Sequence, residues 1–153
     1  MTMLFGISSY LWRNGIGTPG VDIFLGAMPD QPDNCIALFE YAGSPPDLHW
    51  AGRYPGLQVR VRNKSYAAAR KKIDDITTLL NGLYEKLLGG DRILLIKARG
   101  SPELLKRDYN NRVEFFVNLE IILERVNITW NDYKNVTWNE FSAEKIWGDF
   151  IRR

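Results

Sequence analysis

The amino-acid sequence predicts an α+β fold: a mixed, mainly antiparallel sheet with helices packed on one face, followed by an aromatic C-terminal extension. Two stretches indicate the folded part: residues 57–81, where a strand pattern changes directly into a helix pattern, and residues 112–126, where apolar and polar residues alternate. A third stretch carries three of the 5 tryptophans. We therefore expect a folded domain over residues 1–126 and a distinct extension over residues 127–153.

The N-terminal part contains a short helix, two strands and a long loop. Apolar residues at helical spacing predict the helix over residues 2–14. Runs of β-branched and aromatic residues predict strands over 21–25 and 35–41, and the proline- and aspartate-rich turn between them predicts a hairpin. Residues 43–56 are rich in glycine and proline and have no periodicity, so we expect an arm that contacts other molecules.

The central strand and helix are the clearest pair of elements. Residues 57–62 alternate apolar and polar side chains, which predicts a strand with one buried face. Ser65, or Asn63 just upstream, can cap the helix that follows, and Gly82 lies where a helix commonly ends. The helix presents one apolar stripe, formed by Tyr66, Ala69, Ile73, Ile76, Leu80 and Leu83.

The C-terminal part of the domain contains two further strand patterns, separated by a polar segment. Residues 92–99 form an apolar strand pattern, and residues 103–111 are polar with a turn at Asn110 and Asn111. The last strand, residues 112–126, is long and keeps one apolar face, formed by Val113, Phe115, Val117, Leu119, Ile121 and Leu123. Such alternation is typical of antiparallel pairing with one solvated face.

Charged residues follow the polar faces of two of these strands. Glu114, Glu120 and Glu124 share one face of the last strand, and Arg60 and Arg62 share one face of the central strand. If the two strands are neighbours, cross-strand ion pairs are the expected outcome, each contributing about 0.2–1 kcal/mol. An acid/base pair of carboxylates is the alternative interpretation.

Residues 15–20 read Gly-Ile-Gly-Thr-Pro-Gly and so match the letters of a dinucleotide-binding fingerprint. That chemistry needs a strand before the motif and a helix after it, whereas here a predicted helix precedes and a strand follows. Pro19 also removes one backbone amide. The pattern therefore indicates a loop that ends a helix, and we expect no cofactor.

Composition excludes several function classes. His49 is the single histidine and Cys35 the single cysteine, and they lie far apart in sequence, so we expect neither a nucleophile–base pair nor a metal site. Cys35 lies in an apolar run and is expected to be a buried thiol in a reducing compartment. A net charge of +2 is too small to indicate a strongly charged partner such as nucleic acid or anionic lipid. Neither a basic leader nor a membrane span is found, so we expect a soluble, unexported protein without a membrane partner.

A basic run at residues 70–72 has Lys64, Arg60 and Arg62 nearby in the sequence. Asp74 and Asp75 follow it at once, and no aromatic residues interleave with it, so we interpret it as a solvated helix face. A weak contact with DNA phosphates is the alternative.

The extension contains three similar units, each a tryptophan, a small or polar residue, a carboxylate and an aromatic residue. The aromatic members are Trp130, Tyr133, Trp138, Phe141, Trp147 and Phe150. So many aromatic side chains are costly to leave in water. The extension is expected either to fold back onto its own domain or to anchor to a neighbouring subunit or another protein.

Several segments together resemble one known family, the tail terminator proteins of tailed phages, often labelled minor capsid or tail completion proteins. They are residues 21–26 with Pro29 and Asp30, 35–41 with 43–47, 59–66, 98–102 and 108–118. The resemblance covers residues 3–125 and contains no catalytic residue. The tryptophan repeat departs from the family pattern, so no family role carries over to it.

The resemblance implies a small α+β subunit, not an enzyme, that forms a ring, typically a hexamer, on the head-proximal end of the tail tube. The implied location is the head–tail junction, or neck, of the virion, after synthesis in the host cytoplasm. There the ring stops tube growth and joins the tail to the head connector, so the expected partners are further copies of the chain, the tail tube protein and the connector or stopper protein. DNA would pass through the lumen without sequence-specific contacts.

Two alternatives remain open at the level of sequence: a head-side stopper or completion protein, and an accessory binding module that uses the tryptophan repeat. For the ring, we expect subunit contacts from the arm, the extension and the strand edges. The expected contact residues are Gly43, Pro45, Pro46, His49, Trp50, Tyr54, Arg60, Arg62, Trp130, Tyr133, Trp138, Phe141, Trp147 and Phe150.

Overall fold

The computed structural model of the chain describes residues 3–88 and 90–125. Within that part of the chain there are two helices and seven strands: α1 (Met3–Arg13), β1 (Ile23–Leu25), β2 (Cys35–Ser44), β3 (Gly52–Asn63), α2 (Tyr66–Leu80), β4 (Tyr84–Leu88), β5 (Asp91–Ala98), β6 (Glu103–Arg107) and β7 (Val113–Arg125). The predicted extension, residues 127–153, lies outside the described residues.

The described strands form one curled sheet in the order β1-β2-β3-β7-β5-β4. β6 pairs with the first half of β7 and β5 pairs with its second half, on the side of β7 away from β3. β1 and β2 run parallel, and the other pairs among the described strands are antiparallel. The predicted mixed, mainly antiparallel sheet is therefore confirmed.

Both helices pack on one apolar core, which the alternating strands supply from their inner face. β7 buries each apolar residue of its predicted face, and β3 buries Leu57, Val59 and Val61. The helices contribute Met3, Leu4, Ile7 and Leu11 from α1 and Ala69, Ile73, Ile76 and Leu80 from α2. The apolar strand faces, with a period of two residues, and the apolar helix faces, with a period of 3.6 residues, thus pack together in a single core.

Helix α2 begins and ends where its sequence predicts. The Ser65 hydroxyl accepts a hydrogen bond from the amide of Ala68 at 3.3 Å, and Gly82 has a φ of +85° just after the helix. Leu83 of the predicted stripe lies beyond the helix, which ends at Leu80. Tyr66 also departs from the stripe, since it is 52% exposed and its ring packs edge-on against Phe115 at 5.2 Å. It covers the end of the core from outside.

The predicted hairpin of the first two strands is wrong, because β1 lies parallel to β2. A hairpin needs a turn that reverses the chain at once. Here the connecting loop is instead held by a side chain from β3. The buried Arg62 guanidinium donates to the carbonyls of four loop residues. These are Pro29 at 2.6 Å, Pro32 at 2.8 Å, Asp30 at 3.2 Å and Asp33 at 3.2 Å.

A second buried arginine, Arg112, fastens the same loop to the start of β7. Its guanidinium donates to Asp108 at 2.8 Å, to the Asp30 carboxylate at 2.9 Å and to the Asp33 carboxylate at 3.2 Å. The Arg112 side chain is only 3% exposed, and these contacts raise its pKa further above the ordinary value. Arg62 and Arg112 together form what we call the arginine node, which joins three distant chain segments.

The predicted ion pairs between β3 and β7 are wrong, although the strands are neighbours and Arg62 lies directly opposite Glu114. Arg60 lies over the Phe39 ring at 4.9 Å, and Glu124 pairs instead with Arg92 at 3.0 Å. Arg62 and Glu114 are both buried, but Arg62 donates to carbonyls of the loop, which need hydrogen-bond donors, and Glu114 lies 3.9 Å from the ammonium group of Lys106.

The carboxylates bound by the arginine node are expected to make the stability of the fold depend on acid pH. Hydrogen bonds from Lys64 first, and then from Arg112, lower the pKa of Asp33 below its ordinary 3.8. Burial acts to raise the pKa of Asp108, but the hydrogen bonds from Arg112 outweigh it and lower that pKa as well. Carboxylates with lowered pKa stabilise the fold above their ordinary pKa, and that stability is lost as the pH falls through the folded values.

We therefore expect the thermal midpoint to fall steeply below about pH 4, and the Asp108→Asn variant to show a lower and flatter profile over that range. Circular dichroism melts at stepped pH measure this. The matched control is Asp74→Asn, whose carboxylate pairs with Arg70 on the exposed face of α2. If Asp108→Asn and Asp74→Asn give the same profile, the node does not set the acid sensitivity.

Two further sequence interpretations hold. Residues 15–20 follow α1 and precede β1, with Gly15 at a φ of +74°, so this loop ends a helix as predicted. Most of the basic run lies on a solvated helix face, where Arg70 pairs with Asp74 at 3.2 Å and Lys71 pairs with Asp75 at 2.8 Å. Lys72 is half-buried and donates to the Ile16 carbonyl at 3.0 Å.

Candidate functional site

The segment predicted to be an arm without regular structure is instead mostly the end of a hairpin. β2 reaches Ser44 and β3 begins at Gly52, with Ser44 paired to Tyr54, so only residues 45–51 form a connecting loop. The strand pattern is hidden in the sequence because close approaches here require glycine. A Cβ at Gly43 would lie 1.8 Å from the Tyr54 carbonyl oxygen, at the irregular register of this hairpin.

Asp47 organises the loop at the tip of the hairpin. Its backbone amide donates to the Gly52 carbonyl at 3.1 Å, and its carboxylate accepts from the His49 amide at 2.8 Å and from the Tyr54 hydroxyl at 3.3 Å. The His49 amide is the main cause that lowers the pKa of Asp47, against the opposing effect of burial. The tip is therefore held in one conformation by its own side chains.

Large apolar side chains are displayed on this tip. The Trp50 ring lies edge-on to Tyr54, with centroids 6.4 Å apart, and it covers Gly52, where a Cβ would lie 2.2 Å from the ring. Leu48 is 93% exposed and Trp50 41% exposed. A fixed tip that exposes leucine and tryptophan has the chemistry of a protein contact site.

A groove of about 530 Å³ runs beside the hairpin. Its walls come from segments that are far apart in the chain: the hairpin itself, the start of α1, the start of β5 and the end of β7. The lining residues are Met3, Glu40, Tyr41, Ala42, Gly43, Ser44, Pro46, Arg53, Tyr54, Pro55, Asp91 and Leu123. We call this the hairpin groove. Its volume lies in the range of small-ligand pockets.

The structure brings together only part of the predicted contact set. The residues at or next to the tip are Gly43, Pro45, Pro46, His49, Trp50 and Tyr54. Arg60 lies in the middle of the sheet, and Arg62 is buried in the arginine node at the other end of β3. The remaining predicted contacts lie outside the described residues: Trp130, Tyr133, Trp138, Phe141, Trp147 and Phe150.

Sequence reasoning missed several residues of this region. Leu48 could have been found, since a leucine in a loop rich in proline and glycine has no core to join. Asp47 follows Pro46 and so carries an ordinary turn signal. Met3, Asp91 and Leu123 carry no local signal for the hairpin groove, because only the folded chain brings them to it.

The described residues offer neither a metal-binding cluster nor a membrane-spanning helix. Residues 3–88 and 90–125 hold no group of three or more histidine, cysteine, aspartate or glutamate side chains that could bind a metal ion. None of the described helices is both long enough and apolar enough to cross a membrane.

Comparison with known proteins gives the family. The family model described as "Bacteriophage tail terminator protein" matches residues 10–125. Curated proteins yield no match. A chain of a solved structure titled "Virion of native gene transfer agent (GTA) particle" has a similar fold, with a TM-score of 0.63 at 14% identity over 80% of this chain and 94% of that chain. Because the family match spans most of the sequence, this protein belongs to the bacteriophage tail terminator family, whose members are structural virion proteins.

Proposed function

We propose that copies of this chain form a ring, a homohexamer, at the head-proximal end of the phage tail tube. The ring stops tube growth and joins the tail to the head connector at the neck. The match of the tail terminator family to residues 10–125 is the observation that carries the proposal. The role is structural and involves no catalysis.

The described surface fits a part that works by contact. The tip of the β2–β3 hairpin is rigid, because Asp47 and the Trp50–Tyr54 pair hold it, yet it exposes Leu48 and Trp50. We propose that this tip meets the next copy in the ring. Ring closure would also cover exposed strand edges of the sheet, which otherwise invite uncontrolled association.

The other partners follow from the same position in the particle. The tail tube protein would bind one face of the ring, and the connector or stopper protein the other. DNA would pass through the lumen, where contacts with phosphates need no sequence recognition.

Electron microscopy of particles assembled without this protein tests the function. Unattached tails of uncontrolled length beside DNA-filled heads are expected for a terminator. Tails of normal length beside unstable or emptied heads would contradict it and indicate a head-side stopper. Normal, infectious particles would contradict both and leave an accessory binding module.

The contact at the tip is tested by Leu48→Asp. A charge at this position costs the isolated chain little because the side chain is 93% exposed, but in a desolvated contact it is expected to weaken ring assembly by about tenfold or more. Native mass spectrometry over a concentration series measures the loss. Tyr109→Asp is the matched control, since Tyr109 is 91% exposed in the turn before β7. Equal assembly by both variants would remove the tip from the interface.

A further inference from the structure

We propose that the first tryptophan unit of this chain's own extension, residues 130–133, docks in the hairpin groove, with the Asp132 carboxylate bound to Arg53. The groove is thereby a receptor for the chain that follows β7. This docking involves one chain only and does not depend on ring formation.

The walls of the groove are fixed before anything binds. The Tyr41 ring lies directly over Gly56, where a Cβ would come within 2.3 Å of it, and the Tyr54 hydroxyl donates to Asp47 at 3.3 Å. Met3 and Leu123 add aliphatic surface. A tryptophan side chain that enters such a groove gains apolar burial at little cost in ordering the receptor.

The last described strand delivers the chain to this place. Leu123 lines the groove. In the β-sheet register, Glu124 lies opposite Gly52 of the hairpin and Arg125 lies opposite Asp91. Trp130 follows Arg125 by five residues, and an extended chain of that length reaches about 17 Å. The first unit can therefore enter the groove with the shortest closing loop, whereas the units at Trp138 and Trp147 would close longer loops at greater entropic cost.

The charges of groove and segment are complementary. The Arg53 side chain is exposed at the groove and makes no hydrogen bond or ion pair within the described residues, while Glu40 and Asp91 supply negative charge to the same groove. In the extension, Asp132 follows Trp130 by two residues and Lys134 follows Asp132 by two. A docked unit thus offers a carboxylate for Arg53 and, next to it, an ammonium group for the acidic side chains.

Disulfide trapping tests the docking in the full chain. In a Cys35→Ala background, Ser44→Cys places a thiol on the groove and Asn131→Cys places one in the first unit. We expect a disulfide within one chain that forms about tenfold faster or more than in a control with Tyr109→Cys and Asn131→Cys, because docking raises the effective concentration. Equal rates overturn the proposal. A disulfide between chains, seen as a dimer on a denaturing gel, overturns docking on the chain's own groove.

A charge exchange tests the partner of Asp132. Arg53→Glu is expected to slow the trapping reaction several-fold, and adding Asp132→Arg is expected to restore it. If the double variant stays as slow as Arg53→Glu alone, the pair of Arg53 and Asp132 is excluded. Circular dichroism melts verify that each variant keeps the fold.

Discussion

Replacing Arg112 with methionine is expected to lower the urea midpoint of unfolding by roughly 1–2 M, the largest effect of any single exchange that we predict. Methionine fills similar space but donates nothing. The carboxylates of Asp108, Asp30 and Asp33 would lose their buried partner, and Asp108 is itself only 9% exposed. Removing one member of a buried ion pair leaves an uncompensated charge, which is far more costly than losing the attraction itself.

Arg92→Met is the matched control for this result. Arg92 also lies on a strand and also pairs with two carboxylates, those of Glu85 and Glu124, but its side chain is 48% exposed. Exposed pairs contribute little, so its urea midpoint is expected to change by a few tenths of 1 M at most. If the two variants lose equal stability, the burial of Arg112 does not add to the free energy of unfolding beyond what an exposed arginine adds.

Gly43→Ala is expected to cost about 1–3 kcal/mol of unfolding free energy and to abolish ring assembly. The added Cβ would lie 1.8 Å from the Tyr54 carbonyl oxygen, and 2.9 Å from the carbonyl carbon. Those atoms belong to the backbone and cannot rotate away, so the hairpin must open near its tip. Urea unfolding measures the stability, and native mass spectrometry measures assembly.

Gly100→Ala separates this effect from a general cost of replacing glycine. Gly100 also lies in a connection between strands, but no atom lies within 4 Å of the position that its Cβ would take. Its exchange is expected to be nearly neutral for both stability and assembly. Should Gly43→Ala behave in the same way, the close approach of β2 and β3 does not constrain the hairpin, and the proposed contact at its tip loses its structural basis.

The two exchanges separate two tasks of the fold. The arginine node ties the loop between β1 and β2 to β7 and so stabilises the domain. The hairpin tip at the other end of β3 adds little to the core, since Leu48 and Trp50 are exposed there. We therefore expect node variants to lose stability first and tip variants to lose assembly while still folded.

The sequence by itself determined the elements whose signal is local. β7, β3 and α2 follow from alternation and helical spacing, because a residue's neighbours two or four positions away decide which face it occupies. Ser65 and Gly82 mark α2 for the same reason, since capping involves only adjacent turns of the chain.

Only the tertiary structure decided the features that depend on distant residues. The loop that joins the parallel strands β1 and β2 is held by Arg62 and Arg112, which lie 29 or more residues further along the chain than the residues they bond. The hairpin groove requires Met3, Tyr41 and Leu123 together. Nothing in the local pattern around any of these residues reports the others, because hydrogen bonds and packing across the sheet are made only once the chain has folded.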